Sequence, residues 1–273
     1  MVGAVILAGR RNAGRLRELF PGEYEAQLPV AGRPMVAWVA AACLAARPVE
    51  HVVVVGPDPA GAGEELAQAR EAGRLTVVEP GEDLLDSVRR GTGAVLARLP
   101  EAERLLLVTG DVPLLTGGVL ERFLRACPAE ADVAYPVVRR EVMEARFPGA
   151  ARTYVRLRDG EFTGGNALLL RRGILPRALD WAESLYAARK QPWRLALMFG
   201  PRVLWRVLAR RATVPELEER LSRIAGLTGR AIVSPDPEIA MDIDKPADHR
   251  MAEAYLQHRA AGGGDRHGQA ETR

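Results

Sequence analysis

Lysine is almost missing from this chain. Lys190 and Lys245 are the only two among 38 basic residues, and all the others are arginine. Any other fixed positive charge must come from a guanidinium, which grips phosphate as a rigid bidentate fork rather than as a point charge. A G+C-rich genome gives the same bias. Cysteine is equally scarce. Cys43 and Cys127 lack metal-ligand spacing and fall in apolar helical surroundings, which excludes a disulfide framework and points to buried free thiols in a reducing cytosol. The four histidines, His51, His249, His258 and His267, are scattered, and no Ser-His-Asp set is visible. No stretch reaches the ~18 uncharged apolar residues that span a bilayer. The nearest, 195–209, is broken by Gly200-Pro201 and carries Arg202 and Arg206. A strand follows Met1 at once and leaves no room for a signal peptide, so a cytoplasmic location is expected. A net charge of +3 gives no case for a nucleic-acid partner.

What is present is ordinary globular material, 48% apolar and 27% charged over 273 residues. Apolar runs at 2–8, 51–55, 76–78 and 105–108 alternate with helical patterns at 35–47, 64–72, 82–99 and 116–127. Repeated strand–helix alternation predicts an α/β fold, a mostly parallel sheet with helices on both faces. A further strand is expected at 132–138, another at 167–170, a last one at 231–233, and a closing helix to about Arg259. The spacing gives one domain over 1–259, with a helical insert at about 174–229 and a disordered Gly-rich tail over 260–273. Residues 189–211 of the insert are basic and amphipathic. They read as a cap on the sheet with snorkelling arginines, with membrane-surface contact as the alternative. Oligomeric state is not legible.

Four stretches carry chemistry. Gly9 opens the loop Arg10-Arg11-Asn12-Ala13-Gly14-Arg15 after the first strand, and glycine amides with guanidinium groups there can cradle phosphates. Leu105-Leu106-Leu107-Val108-Thr109-Gly110-Asp111 is a buried strand ending at an acid. Ligands of parallel sheets sit at that carboxyl end, and a carboxylate there suits Mg²⁺. An Asp capping the next helix or turn is the competing reading. Asp242 and Asp244 alternate around Ile243 ahead of Pro246. If the last strand lies beside the Asp111 strand, one of them can share a cation with Asp111, and an N-cap is again the alternative. Gly164-Gly165-Asn166 reads as a hairpin turn or as close backbone approach to a ligand.

Five blocks in this order resemble the MobA-like nucleotidyltransferases, of the GT-A-type, Rossmann-like α/β/α fold. Val5-Ile6-Leu7-Ala8-Gly9 is similar to the family's opening signature. Leu28-Pro29-Val30-Ala31-Gly32-Arg33-Pro34-Met35 resembles its second block, and Leu85-Asp86-Ser87-Val88-Arg89-Arg90-Gly91 its base and ribose segment. Thr109-Gly110-Asp111-Val112-Pro113 resembles the metal-binding block and Asp242-Ile243-Asp244-Lys245-Pro246-Ala247-Asp248 the closing one. The resemblance implies transfer of a nucleotidyl group from an NTP to a phosphorylated acceptor with release of pyrophosphate. It implies Mg²⁺ on Asp111 and Asp244, and catalytic roles for Arg15 and Asp111. It implies a nucleotide site of Leu7, Ala8, Gly9, Arg10, Arg15, Asp86, Ser87 and Gly110, and an acceptor site near Arg146, Arg152, Gly164, Gly165 and Asn166. Two positions depart from the pattern. Arg10 stands where the signature has glycine, with Arg15 one residue late. Glu25 stands where the family has a lysine, and is expected to repel the triphosphate unless Arg10, Arg11 or Arg17 compensates. The alternatives are a nucleotide-sugar glycosyltransferase of the same fold, which the Val112-Pro113 after Asp111 disfavours, and a catalytically impaired nucleotide-binding homologue.

Overall fold

The computed structural model describes residues 1–188 and 200–261. Eight strands of the main sheet run in the order β5-β4-β1-β6-β10-β7-β9-β8, and β11 pairs with the free side of β7. These are β1 (Val2–Leu7), β4 (Val49–Val55), β5 (Leu75–Val78), β6 (Arg104–Thr109), β7 (Val133–Arg139), β8 (Val155–Leu157), β9 (Gly160–Gly164), β10 (Ala167–Arg171) and β11 (Gly229–Ser234). β2 (Pro29–Val30) and β3 (Arg33–Pro34) form a separate two-stranded hairpin. Strands β5, β4, β1 and β6 are mutually parallel, as are β7 and β11. Strand β10 runs antiparallel between β6 and β7.

The strands lack polar alternation because both faces are covered. Ala4 and Ile6 of β1, Val52 and Val54 of β4, and Leu106 and Val108 of β6 pack with helices α1 (Met35–Ala45), α4 (Gly117–Ala126) and the last helix. The intervening Val5, Val53, Val55, Leu105 and Leu107 pack on the other side with Val88 and Val95 of α3 (Leu84–Arg98) and with Leu175, Ala178 and Leu179 of α6 (Leu175–Ala188). Helix α2 (Glu64–Glu71) joins β4 to β5, and α5 (Arg140–Arg146) leaves β7. In the 174–229 region the described helices are α6, α7 (Pro201–Leu208) and α8 (Val214–Ala225); Gly229 already belongs to β11. Trp205 and Leu208 of α7 are 56% and 73% exposed, and Arg211 lies over the Trp205 ring. The rest of the basic stretch, 189–199, and the expected tail from 262 onward lie outside the described residues. Helix α9 (Pro246–Ala260) closes the fold. Among the described residues no helix is long and apolar enough to cross a membrane.

Two arrangements that the sequence leaves open do not occur. The last strand does not lie beside the Asp111 strand: β11 pairs with β7, and β10 and β7 stand between it and β6. The Gly-Gly-Asn segment is not a hairpin. Strands β9 and β10 both run antiparallel to β7, so the chain keeps its direction through 165 and 166. A Cβ on Gly165 would meet Pro136 Cγ at 2.8 Å and the Ile239 carbonyl at 3.3 Å. Close backbone approach is what the glycine serves, and the neighbours are Pro136 of β7 first and then the returning chain at Ile239.

Candidate active site

The carboxyl ends of β1, β4 and β6 converge on Ala8. Its N–H donates to the Val55 carbonyl at 2.9 Å, and Gly110 N–H donates to the Leu7 carbonyl at 2.9 Å. A Cβ on Gly56 (φ +146°) would meet the Ala8 carbonyl carbon at 2.7 Å; one on Gly110 would meet Ala8 Cβ at 2.8 Å and Cα at 3.0 Å. Both contacts are with rigid parts of the strand end. Replacing Gly110 with Ala should therefore destabilise the protein by about 1–3 kcal/mol, the usual cost of overpacking. A urea denaturation series against wild type checks this, and an unchanged midpoint would contradict it.

Asp111 follows Gly110 at this crest. The return segment after β11 reaches it by a route the strand order did not suggest. Asn166 N–H donates to the Ile239 carbonyl at 2.9 Å, and Ile243 N–H donates to the Asp111 carbonyl at 3.0 Å. Ile243 is fully buried, so its flanking acids Asp242 and Asp244 are turned towards Asp111. One carboxylate oxygen from each of Asp111, Asp242 and Asp244 lies within 4.8 Å of the others. None of the three serves as a helix cap. Thr116 caps α4, accepting from Val119 N–H at 3.3 Å. Asp248 accepts from the Asp244 and Lys245 amides at 3.2 and 3.1 Å at the start of α9.

Electrostatics set these acids apart. Burial pushes the Asp111 carboxyl up to about 6; the Thr109 hydroxyl offsets part of this, and Asp242 and Asp244 add to it. The hydroxyl lies off hydrogen-bonding geometry, so Asp111 Oδ1 and Thr109 Oγ1 are both buried without a partner. Burial also raises Asp242, Arg152 lowers it, and Asp244 raises it again. Three hard oxygen donors, one of them an orphaned buried carboxylate oxygen, fit a hard divalent cation.

Two arginines hold the outer acids. Arg152, with a side chain only 8% exposed, pairs with Asp242 Oδ1. Its Nη2 donates to the Asp242 carbonyl at 2.6 Å and to Met241 Sδ at 3.1 Å. Arg10 Nη1 donates to Asp244 Oδ1 at 3.3 Å, and its Nε lies 3.0 Å from Glu25 Oε2. Glu25 is 7% exposed, against 66% for Arg10. Burial raises the Glu25 carboxyl, Arg10 lowers it, and Asp244 raises it. Of the three arginines that could compensate the carboxylate at position 25, Arg10 is the one paired with it.

The remaining sequence-derived residues divide. Leu7, Ala8, Gly9, Arg10 and Gly110 meet at the crest. A Cβ on Gly9 would strike the Pro80 ring at 2.6 Å, so that glycine is also required by packing. Asp86 and Ser87 hold the turn into their own helix: Asp86 Oδ2 accepts from Glu82 N–H at 3.0 Å, and Ser87 Oγ accepts from Gly81 N–H at 2.9 Å. Arg15 begins a short 3₁₀ turn (Arg15–Glu18) and is exposed, with no ion pair among the described residues. Asn166 lies beside Asp242 and eases its raised pKa. Arg146 is engaged elsewhere, 3.2 Å from Glu238 Oε1 and 2.7 Å from the Tyr255 hydroxyl. Tyr135 was not singled out from sequence. Its hydroxyl donates to the Gly165 carbonyl at 2.7 Å, and Asp242 is close enough to raise its pKa beyond the effect of burial. An aromatic on a strand otherwise rich in valine and proline is a weak signal. Cys43 and Cys127 are free and buried, with thiols pushed up to about 12 and about 11.

Known proteins resemble this chain in sequence and fold. The model of the MobA-like NTP transferase domain matches residues 4–228. A solved structure described as a hypothetical transferase from Thermus thermophilus is 38% identical, with a TM-score of 0.77, and the match covers 90% of this chain and 98% of that one. The 2-C-methyl-D-erythritol 4-phosphate cytidylyltransferase of Cereibacter sphaeroides is 32% identical over 190 residues, 69% of this chain and 77% of its own. The bifunctional protein GlmU of Agrobacterium fabrum is 37% identical over 136 residues, 48% of this chain but 27% of its own, so the chain spans about a quarter of that relative's length. With its Rossmann-like sheet and its acids gathered at the carboxyl ends of the strands, the chain belongs to the MobA-like NTP transferase family.

Proposed function

We propose that the chain moves a nucleotidyl group from an NTP to a phosphorylated small-molecule acceptor, with Mg²⁺, and releases pyrophosphate. The observation that carries this reading is the triad Asp111, Asp242 and Asp244, with its orphaned Asp111 oxygen, beside the Arg10 loop. An acceptor phosphate oxygen bonds to the α-phosphorus while the bond to the β-phosphate oxygen breaks, and the electron pair leaves with pyrophosphate. Asp111 and Asp244 would hold Mg²⁺, with Asp242 held back by Arg152. A divalent cation held there would supply neutralisation of the phosphate charge that develops on the leaving group.

The chain's own residues do the rest. Leu7, Ala8, Gly9 and Gly110 form the backbone floor of the nucleotide site, where Ala8 and Gly110 tie the ends of β1, β4 and β6 together. Arg10 and Arg15 bring guanidinium groups to the phosphates, and Asp86 and Ser87 order the loop facing the base. Gly164, Gly165 and Asn166 line the acceptor side. Arg146 and Arg152 shape that wall from behind, through Glu238 and Asp242. A phosphorylated acceptor is supported by the name of the cytidylyltransferase relative. Residues 1–259 are read as one such unit, with 174–229 as an insert on it, and the buried free thiols suit a cytoplasmic setting.

The test is pyrophosphate release from ATP, CTP, GTP and UTP across a panel of phosphorylated metabolites, in Mg²⁺ and in EDTA. Magnesium-dependent turnover with one pair is the expected result. No turnover, together with no NTP binding in Mg²⁺ by calorimetry, would reject the reading.

A further inference from the structure

The pairing of Arg10 with Glu25 bears directly on how the site handles a triphosphate. Glu25 follows Tyr24 into a short 3₁₀ turn (Glu25–Gln27), and its amide donates to the Arg10 carbonyl at 3.0 Å. The two residues are therefore joined twice, through backbone and through side chains. Around the Arg10 guanidinium stand Glu25 Oε2 at 3.0 Å and Asp244 Oδ1 at 3.3 Å. These two contacts differ in kind. Asp244 belongs to the acid triad, and a divalent cation on that carboxylate competes with Arg10 for it. Glu25 lies outside the triad and is buried, so it keeps its hold whichever ligand Asp244 takes. Arg10 itself stays two-thirds exposed at the mouth of the loop. An exposed arginine alone loses much rotamer entropy on gripping a ligand; one anchored at Nε by a buried carboxylate keeps its fork in place.

We infer that Glu25 is a positioning residue that holds the Arg10 guanidinium at the phosphate end of the acid triad, so that Arg10 supplies the fixed cation contacting the NTP. The inference rests on the nucleotidyl-transfer reading and goes beyond it. It reverses the expected sign of Glu25: the carboxylate supports triphosphate binding instead of opposing it. The lysine-poor composition fits, because the charge is delivered as an anchored arginine.

Calorimetric titration decides the matter, using MgATP, MgCTP, MgGTP and MgUTP in turn and then the tightest of them with each variant. Arg10→Ala should weaken binding at least about tenfold, the loss of one charge-assisted contact. Glu25→Gln should weaken it by about three- to tenfold, and Glu25→Asp by less. In the Arg10→Ala background, Glu25→Gln should change affinity little, since the anchor then has nothing to hold. Arg10 is exposed, so Arg10→Ala keeps the test open if a Glu25 variant misfolds. If Glu25→Gln binds as well as wild type or tighter, or if Arg10→Ala binds normally, the inference is overturned while the transfer reading stands. If wild type binds no MgNTP, both fall together.

Discussion

Replacing Asp111 with Asn should move activity and stability in opposite directions. Magnesium-dependent pyrophosphate release should fall on the order of 10³-fold, because a lost carboxylate ligand forfeits several kcal/mol of charge stabilisation. The same variant, stripped of divalent cations with EDTA, should be more stable than wild type at pH 7 to 8. The cause is the carboxyl group itself. Its pKa is raised from 3.8 to about 6, chiefly by burial and further by two neighbouring acids. Below about pH 4 the group is protonated in folded and unfolded chains alike and costs nothing. As pH climbs through about 6, the unfolded chain has already released its proton, and the folded chain must carry an unpaired buried charge. Metal-free wild type therefore loses stability over that interval, by up to about 3 kcal/mol. Asp111→Asn should lack that slope, and adding Mg²⁺ should stabilise wild type much more than the variant. Urea denaturation at pH 4.5 and 7.5, with and without Mg²⁺, reads every arm. Equal slopes for the two proteins would show that Asp111 carries no such strain.

That opposition explains why Asp111 was ambiguous as a sequence. A strand ending Gly-Asp is compatible with a turn, a cap or a ligand, because all three use the same short acceptor side chain. Position in the chain does not separate them; partners do. Here Thr116 and Asp248 take the capping work, and Asp111 Oδ1 is left buried and unpaired. The strands were legible for a different reason. Runs such as Val52–Val55 and Leu105–Val108 have no polar alternation, and a strand covered on both faces is the structure that explains such short runs between helical patterns.

What escaped is non-local. Ala167–Leu170 is apolar on both faces, and nothing in its periodicity says that it runs antiparallel between β6 and β7. Adjacency of β11 and the Asp111 strand, a condition the sequence leaves open, is prevented by that insertion. The acids met anyway, because the chain turns back at 235–245 and Ile243 is buried beneath the crest. For Glu25 the sequence offers Arg10, Arg11 and Arg17 as compensating charges without choosing among them, and the fold chooses Arg10, while Arg11 pairs with Glu23. Read as a charge at one position, it repels phosphate; read with Arg10, fifteen residues earlier, it is half of an ion pair. No propensity or spacing rule links those two residues.

Arg152 separates a structural role from a recognition role most clearly. Read from sequence, it belongs among the acceptor-binding arginines. In the fold its guanidinium is spent on Asp242, through the carboxylate and the backbone carbonyl, and on Met241 sulfur. With the arginine 8% exposed and Asp242 21% exposed, the pair is nearly shut off from water. Removing one partner of such a pair leaves an uncompensated charge, which costs about 3 kcal/mol or somewhat more. Arg152→Ala should accordingly lower stability by about that amount in EDTA at pH 7.5. Most of the loss should be recovered in Arg152→Ala/Asp242→Asn, where no charge is stranded. Mg²⁺ should narrow the gap between Arg152→Ala and wild type, because the released Asp242 carboxylate can join Asp111 and Asp244 as a third ligand. An acceptor-binding arginine would behave otherwise: its loss would raise the acceptor KM, leave metal-free stability unchanged, and gain nothing from Asp242→Asn. The double variant distinguishes the two, because only a clamp on Asp242 makes the second substitution restore what the first removed.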